Sequence, residues 1–344
     1  MKLKNLFTFD TLKITLPAGK TILAVVLILP FLLIIMEGLL RVIPIPASLF
    51  VPSIDRELSY PEIDIKLSRL SVIERREPVD CFLLGSSMID FGVDPTELNL
   101  QPHLLEIEEP VCFNMALKAM KPEVMAKIAD ILIKRSHPAL IIMGISPVDF
   151  TGGESVIRQF VHAPWVEYQE GRYSTEGWWI ENSFTYRYWL SFLKYRDPLY
   201  RSDLKNQLAM INSYGMQEEE KGTRPYQLKT ELAIPDFQFS SVDVDGFTHI
   251  LNNRSPSLRV IVVEMPVHPD FLPYYIPGGA TGYEEKFIQP ISELLEEKNI
   301  PIIRTQEKIS GIVTADGWKD YLHLNRSGAQ QFSRWLAEEL GRDK

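Results

Sequence analysis

Cysteine is nearly absent from this chain of 344 residues: Cys81 and Cys112 are its only two. They form no CxxC pair and stand at no Cys/His ligand spacing, which excludes a zinc site built on thiolates. Each lies beside apolar residues in a strand-like run. Two readings of the pair stay open, buried thiols or a bridge between neighbouring strands in an oxidising compartment. Basic clusters are missing from the body of the chain. The 36 Lys and Arg against 45 Asp and Glu give a formal net charge of −9, and such a pattern gives no reason to expect a nucleic-acid partner. No internal repeat and no metal or organic cofactor motif is present. With 45% hydrophobic residues, the chain is long enough for one large globular domain or two modest ones.

What is present begins near the N-terminus. "TILAVVLILPFLLIIM" (21–36) is apolar without a charge, and about 20 such residues cross a bilayer as a helix. Lys2, Lys4, Lys13 and Lys20 precede the run and only Arg41 closely follows it. Positive charge stays inside, so residues 1–20 are expected in the cytoplasm, 21–41 as an anchor in the lipid bilayer, and the remainder exported. A cleaved signal peptide is the alternative, but "RVIPIPAS" lacks a small-x-small cleavage site. Pro30 is tolerable inside a lipid-embedded helix.

Residues 42–77, punctuated by Pro44, Pro46, Pro52 and Pro61, read as a connector carrying one short amphipathic helix. From 78 to 344 the pattern becomes α/β. "VDCFLLGSS", "PVCFNMAL", "PALIIMGIS", "LRVIVVEMP" and "IPIIRT" are continuous apolar strands, and amphipathic runs at 121–135, 283–298 and 327–340 alternate with them. This predicts a three-layer α/β/α domain around a parallel sheet of about five strands, with ligands bound beyond the strands' carboxyl ends. "DPTEL" (94–98) offers a helix start, with Asp94 as cap and Glu97 reaching back to it. Residues 150–255 break the rhythm and read as an aromatic-rich insertion. Its aromatics are core, or else a platform for sugar rings or an acyl chain. Arg172, Arg187 and Arg201 within it read as solvated charges.

The chemistry-bearing residues stand where the strands end. Ser86 and Ser87 follow the first strand, and "DYLHLNRSGAQQF" (320–332) places Asp320 three residues before His323, after the last strand. A serine hydroxyl needs a base in hydrogen-bond reach, and the base needs an orienting acid. A parallel sheet brings both loops to one edge, so Ser87, His323 and Asp320 form a candidate nucleophile, base and acid. Asp316 is a rival acid, Asn325 orders the loop, and a helix cap is the structural alternative for Ser87. Asp149 and His268 lie at the same edge, after the third and fourth strands, as candidate substrate contacts.

Gly85-Ser86-Ser87 together with Asp320-Tyr-Leu-His323 resembles the SGNH/GDSL hydrolase superfamily, over most of residues 78–340 outside the insertion. The family carries its serine in a GDS-type turn and its acid and base in a terminal DxxH; here Ser86 replaces the usual Asp. The resemblance implies oxyanion donors at Ser87, at Ala119 in place of a glycine, and at Ser146 in place of an asparagine. Asn114 matches the family's second-block asparagine and is a candidate substrate contact. GSS, the anchor and the terminal DxxH are similar to a membrane-anchored branch that includes alginate O-acetyltransferases and the D-alanyl transfer protein of teichoic-acid modification. That branch implies a bacterial-type plasma membrane location and an acyl ester or glycan substrate of the cell envelope. It also implies an acyl-serine intermediate and a multi-pass membrane acyltransferase as partner. The other readings are a catalytically weak scaffold subunit of a polysaccharide complex, and a secreted lipid esterase.

Overall fold

The computed structural model describes residues 18–43, 50–57, 60–100, 110–153, 156–219 and 232–342. The first 17 residues of the expected cytoplasmic segment lie outside these, as does 220–231. Five strands, Cys81–Leu84 (β1), Cys112–Asn114 (β2), Leu140–Ile145 (β3), Arg259–Glu264 (β4) and Ile302–Ile303 (β5), form one sheet. All pairings are parallel, in the order β2-β1-β3-β4-β5. β1, β2 and β3 are buried along their whole length, which is why they read as unbroken apolar runs: helices cover both faces. The winding direction reverses between β1 and β3, so the loops after these two strands flank the crevice where α/β sheets bind ligands. Cys81 and Cys112 are register partners across β1 and β2, both buried and both free thiols.

Along the chain the helices are α1 (Ala18–Val42), α2 (Pro61–Ile73), α3 (Ser87–Gly92), α4 (Pro95–Asn99) and α5 (Pro122–Ser136). Then follow α6 (Pro164–Gln169), α7 (Thr175–Asn182), α8 (Phe184–Lys194), α9 (Pro198–Met210) and α10 (Ser241–Asn252). Proline opens α2, α4, α5, α6 and α9, a position whose N–H has no helical partner in any case. Asp94 caps α4 by accepting from Thr96 N at 2.9 Å. Glu97 does not reach back to the cap; it pairs with Arg334 of the C-terminal helix, Arg326–Arg342, at 2.8 Å.

Two segments outside the strand–helix rhythm pack on the α/β core. Within 42–77, α2 buries Ile63, Leu67, Leu70 and Ile73 in the main core. Within the segment of about 150–255, α10 packs on α5. A Cβ at Gly246 would stand 2.6 Å from the backbone of Pro122 and Glu123, so only glycine permits that approach. α1 has mean hydropathy 2.8 over Leu23–Val42, and its side chains are exposed along that stretch. Twenty residues at about 1.5 Å each match the hydrocarbon thickness of a bilayer.

α2 also carries charge into the core. Glu62, Lys66 and Asp90 are all fully buried. Lys66 Nζ stands 2.6 Å from Asp90 Oδ1 and donates to the Ala116 carbonyl. Both Glu62 carboxylate oxygens and Asp90 Oδ2 have no hydrogen-bond partner. Burial, reinforced by Asp90, pushes the Glu62 carboxyl up to about 8. A protonated Glu62 supplies a donor beside those lone pairs, leaving one anion to balance Lys66. The folded state therefore holds a proton that the unfolded state, at 4.5, releases. Stability is expected to fall as pH rises from roughly 4.5 toward 8, and Glu62→Gln to flatten that slope. Denaturant unfolding at several pH values measures it, and an unchanged slope in the variant refutes the assignment.

Candidate active site

Ser87 is the first residue of α3, directly after β1. α3 lies close on the sheet because Gly144 of β3 leaves room for Ile89: a Cβ there would meet the Ile89 side chain at 2.0 Å. Ser86 occupies the N-cap position but makes no capping bond. Its buried hydroxyl lies beside Asp149 without a bond of normal geometry.

His323 reaches this turn from the far end of the chain. Its Nε2 is 2.8 Å from Ser87 Oγ, and its Nδ1 is 2.9 Å from both Asp320 oxygens. The loop that holds it is tightly folded. Lys319 N donates to the His323 carbonyl at 2.9 Å, and Trp318 bridges Leu324. Asp320 Oδ1 also accepts from Leu322 N (2.8 Å) and His323 N (2.9 Å). Burial alone would raise the Asp320 carboxyl; the bonds from the His323 ring and the two N–H groups outweigh it and hold the pKa below its ordinary value. An ionised carboxylate only accepts, so it fixes the ring proton on Nδ1 and leaves Nε2 free to take the Ser87 proton. Asp316 is exposed and offers the loop only its carbonyl, which accepts from Asn325 Nδ2 at 2.6 Å. Asn325 Oδ1 then accepts from Gly328 N at 3.0 Å, anchoring the C-terminal helix.

One wall of the site was not legible in the sequence. The Phe91 ring packs edge-on to the His323 imidazole at 5.4 Å, and Lys319 Nζ sits 3.9 Å from the centre of the same ring. Phe91 is four residues after Ser87 on α3, a helical spacing that could have indicated it.

The remaining candidates divide. Asn114 is fully buried, with Nδ2 donating to the Ile89 and Val93 carbonyls (3.0 Å each) and Oδ1 accepting from Ala116 N (3.1 Å). Its amide is committed to holding α3, which corrects its assignment as a substrate contact. Ser146 is fully buried and its hydroxyl donates to Asp149 Oδ2 at 2.8 Å. Its hydroxyl proton is thus directed at Asp149 and would have to turn away to serve as an oxyanion donor. Asp149 also accepts from Ser146 N at 2.7 Å. Burial pushes its carboxyl up to about 6 against the pull of the Ser86 and Ser146 hydroxyls and of Lys121. At 2% exposure Asp149 supports the turn from within rather than facing a substrate. His268 braces the loop carrying Asp320: it stacks edge-on against Trp318 (5.1 Å) and Tyr321 (5.5 Å) and its Nδ1 accepts from Asp270 N. Ala119 has φ 54°, the left-handed conformation that favours glycine.

No family model matches the chain, and no curated protein matches it. Several solved structures are similar in chain course, three of them as follows. One is a Parabacteroides merdae protein described as a GDSL-like lipase, with 13% identity over 78% of this chain and 98% of that one, TM-score 0.40. Another is a gut microbial diltiazem-metabolizing enzyme, with 10% identity, 76% and 47% coverage, TM-score 0.39. The third is a lipase/acylhydrolase from Enterococcus faecalis, with 11% identity, 77% and 96% coverage, TM-score 0.34.

The strain at Ala119 is measurable. A left-handed conformation costs an L-residue about 1–2 kcal/mol, and glycine's extra chain entropy costs about 0.5–1 kcal/mol. Ala119→Gly is therefore expected to stabilise the fold by up to about 1.5 kcal/mol, and Ala119→Val to destabilise it, since a β-branched residue fits that region poorly. Equilibrium unfolding of both variants checks the pair; a loss of stability in the glycine variant contradicts it.

Proposed function

We propose that the chain is an SGNH-type serine esterase or O-acyltransferase, and one observation carries the reading. A hydroxyl, an imidazole and a carboxylate stand in hydrogen-bonding order, 2.8 and 2.9 Å apart, on two loops of one sheet edge. Ser87 attacks an ester carbonyl while His323 Nε2 takes its proton. Asp320 stabilises the imidazolium, which then protonates the leaving alcohol. The reverse sequence passes the acyl group from Ser87 to water or a sugar hydroxyl. Ser87 N–H, at the helix start, and Ala119 N–H are the proposed oxyanion donors.

The finer reading follows the branch that the motifs resemble. The α/β domain is exported, α1 holds it at the membrane, and the acyl esters belong to an envelope or exported polysaccharide. A multi-pass acyltransferase is the proposed source of acyl groups. A second reading, a catalytically weak binding subunit, draws support from the Ser146 hydroxyl committed to Asp149. Losing one oxyanion donor typically lowers the rate about 10²–10³-fold.

A fluorophosphonate probe separates the two. Covalent labelling is expected on the intact chain and is expected to vanish in Ser87→Ala and His323→Ala. Asp320→Asn, which favours the wrong ring tautomer, is expected to slow turnover of an aryl acetate by about 10²–10⁴-fold. Folded protein that takes no label supports the binding subunit instead.

A further inference from the structure

The insertion meets α1 where its apolar run ends. Glu37 accepts hydrogen bonds from Ser183 Oγ (2.9 Å) and from the N–H groups of Phe184 (3.0 Å) and Thr185 (2.9 Å), at the start of α8. Arg41 donates to the Asn182 carbonyl at 2.6 Å and lies over the Phe184 ring at 5.6 Å. Arg41 also pairs with Glu37 at 2.8 Å, so this carboxylate is met both by a helix N-terminus and by a cation one turn along α1.

Two openings flank this joint. The first is a groove of about 910 Å³ with Leu33, Ile34 and Met36 on the α1 wall and Trp179, Tyr186 and Trp189 on the wall formed by α7 and α8. Trp178, Trp179, Trp189 and Phe192 are 45–55% exposed. Such a surface suits a bilayer interface, where amphipathic rings collect.

The second is a cavity of about 400 Å³ near the Arg41 end of α1, lined by Arg41, Arg75, Arg135 and Arg187 with Trp165 and Phe184. Its acids are engaged. Glu74 pairs with Arg135 at 2.5 Å and accepts from Ser136, and Glu181 accepts from Trp165 Nε1 at 2.8 Å and from Gln169. Among the described residues, neither Arg75 nor Arg187 has a carboxylate in ion-pair distance. Arg187 Nε is buried without a hydrogen-bond partner. Arg187 is half-buried with its guanidinium 5.7 Å from the centre of the Phe184 ring, so it is not the fully solvated charge that the sequence suggests; burial lowers its pKa, with Asp64 opposing. A buried, unmatched guanidinium donor is costly unless something brings an acceptor.

We propose that this cavity binds the phosphate of an anionic phospholipid, with an acyl chain of the same lipid lying in the α1/α7–α8 groove. The proposal rests on α1 spanning the bilayer. Continuity favours a lipid over free phosphate: Glu37 and Leu40 line the groove and Arg41 lines the cavity, so headgroup and chain sites succeed one another within a turn of α1. Guanidinium groups match phosphate geometry by paired donors.

The test uses the full chain in vesicles of phosphatidylcholine, alone or mixed with phosphatidylglycerol. Carbonate extraction reports the anchor. Brominated acyl chains are expected to quench the tryptophan fluorescence of the native chain, and the quenched component to vanish in W178F/W179F/W189F. Native mass spectrometry is expected to show preferential retention of phosphatidylglycerol. Losing charge-assisted bonds should lower that preference about tenfold in R187Q, and in R75Q, an exposed position that spares the fold. Release of the chain by carbonate overturns the anchor and the proposal together. A chain that stays in the bilayer overturns the proposal alone if its quenching or its preference is unchanged in the variants. Displacement of the lipid by inorganic phosphate does the same.

Discussion

The contact between His323 Nε2 and Ser87 Oγ joins residues 236 positions apart, and no local preference could bring them together. It depends on a parallel sheet. Each strand in such a sheet delivers its following loop to the same edge, so the turn after β1 and the loop after β5 arrive on one side whatever lies between. Gly144 makes the approach close enough, because any larger residue would displace Ile89 and lift α3 from the sheet. The site's geometry is therefore a property of the core: β1 and β3 fix the height of Ser87, and the Trp318–Leu324 bridge fixes the reach of His323.

Much of this was legible because it depended on strong, local patterns. Continuous apolar runs announced buried parallel strands, and the positions of GSS and DxxH at strand ends announced a shared edge. What escaped depended on which partner each polar group meets in the fold. Ser146 reads as a free hydroxyl until Asp149, three residues on, is seen to accept its hydrogen bond. Asn114 reads as a site amide until the carbonyls of Ile89 and Val93 are seen to occupy it. Composition could not distinguish an open donor from a committed one, since both are the same residue at the same kind of strand end.

The burial of α2 escaped for a further reason. "PEIDIKLSRLSVI" carries Glu62, Asp64 and Lys66, and charged residues are seldom fully buried unless paired; all three are at 0% exposure. The helix is drawn inward by Ile63, Leu67 and Leu70, and its charges are met there by others. Lys66 meets Asp90, and Asp64 accepts from Ile54 N at 3.0 Å and stands 3.3 Å from Lys194 Nζ. A pattern that looks like a solvated linker is a strut whose Asp64 and Lys66 find partners only in the folded chain.

That strut connects the two regions to which function is assigned. Through Lys66 and Asp90 it holds α3, the helix that begins with Ser87, and from the next residue onward Leu67, Ser71, Glu74 and Arg75 line the arginine cavity beside α1. Buried ion pairs contribute little net stability over apolar packing, but breaking one strands a charge in the core. Their effect here is to fix register: α2 cannot slide or turn without separating Lys66 from Asp90 and Asp64 from Lys194. The position of Ser87 and the shape of the cavity are thereby set by one rigid element, which gives a physical reason for charge to be kept where leucine would pack as well.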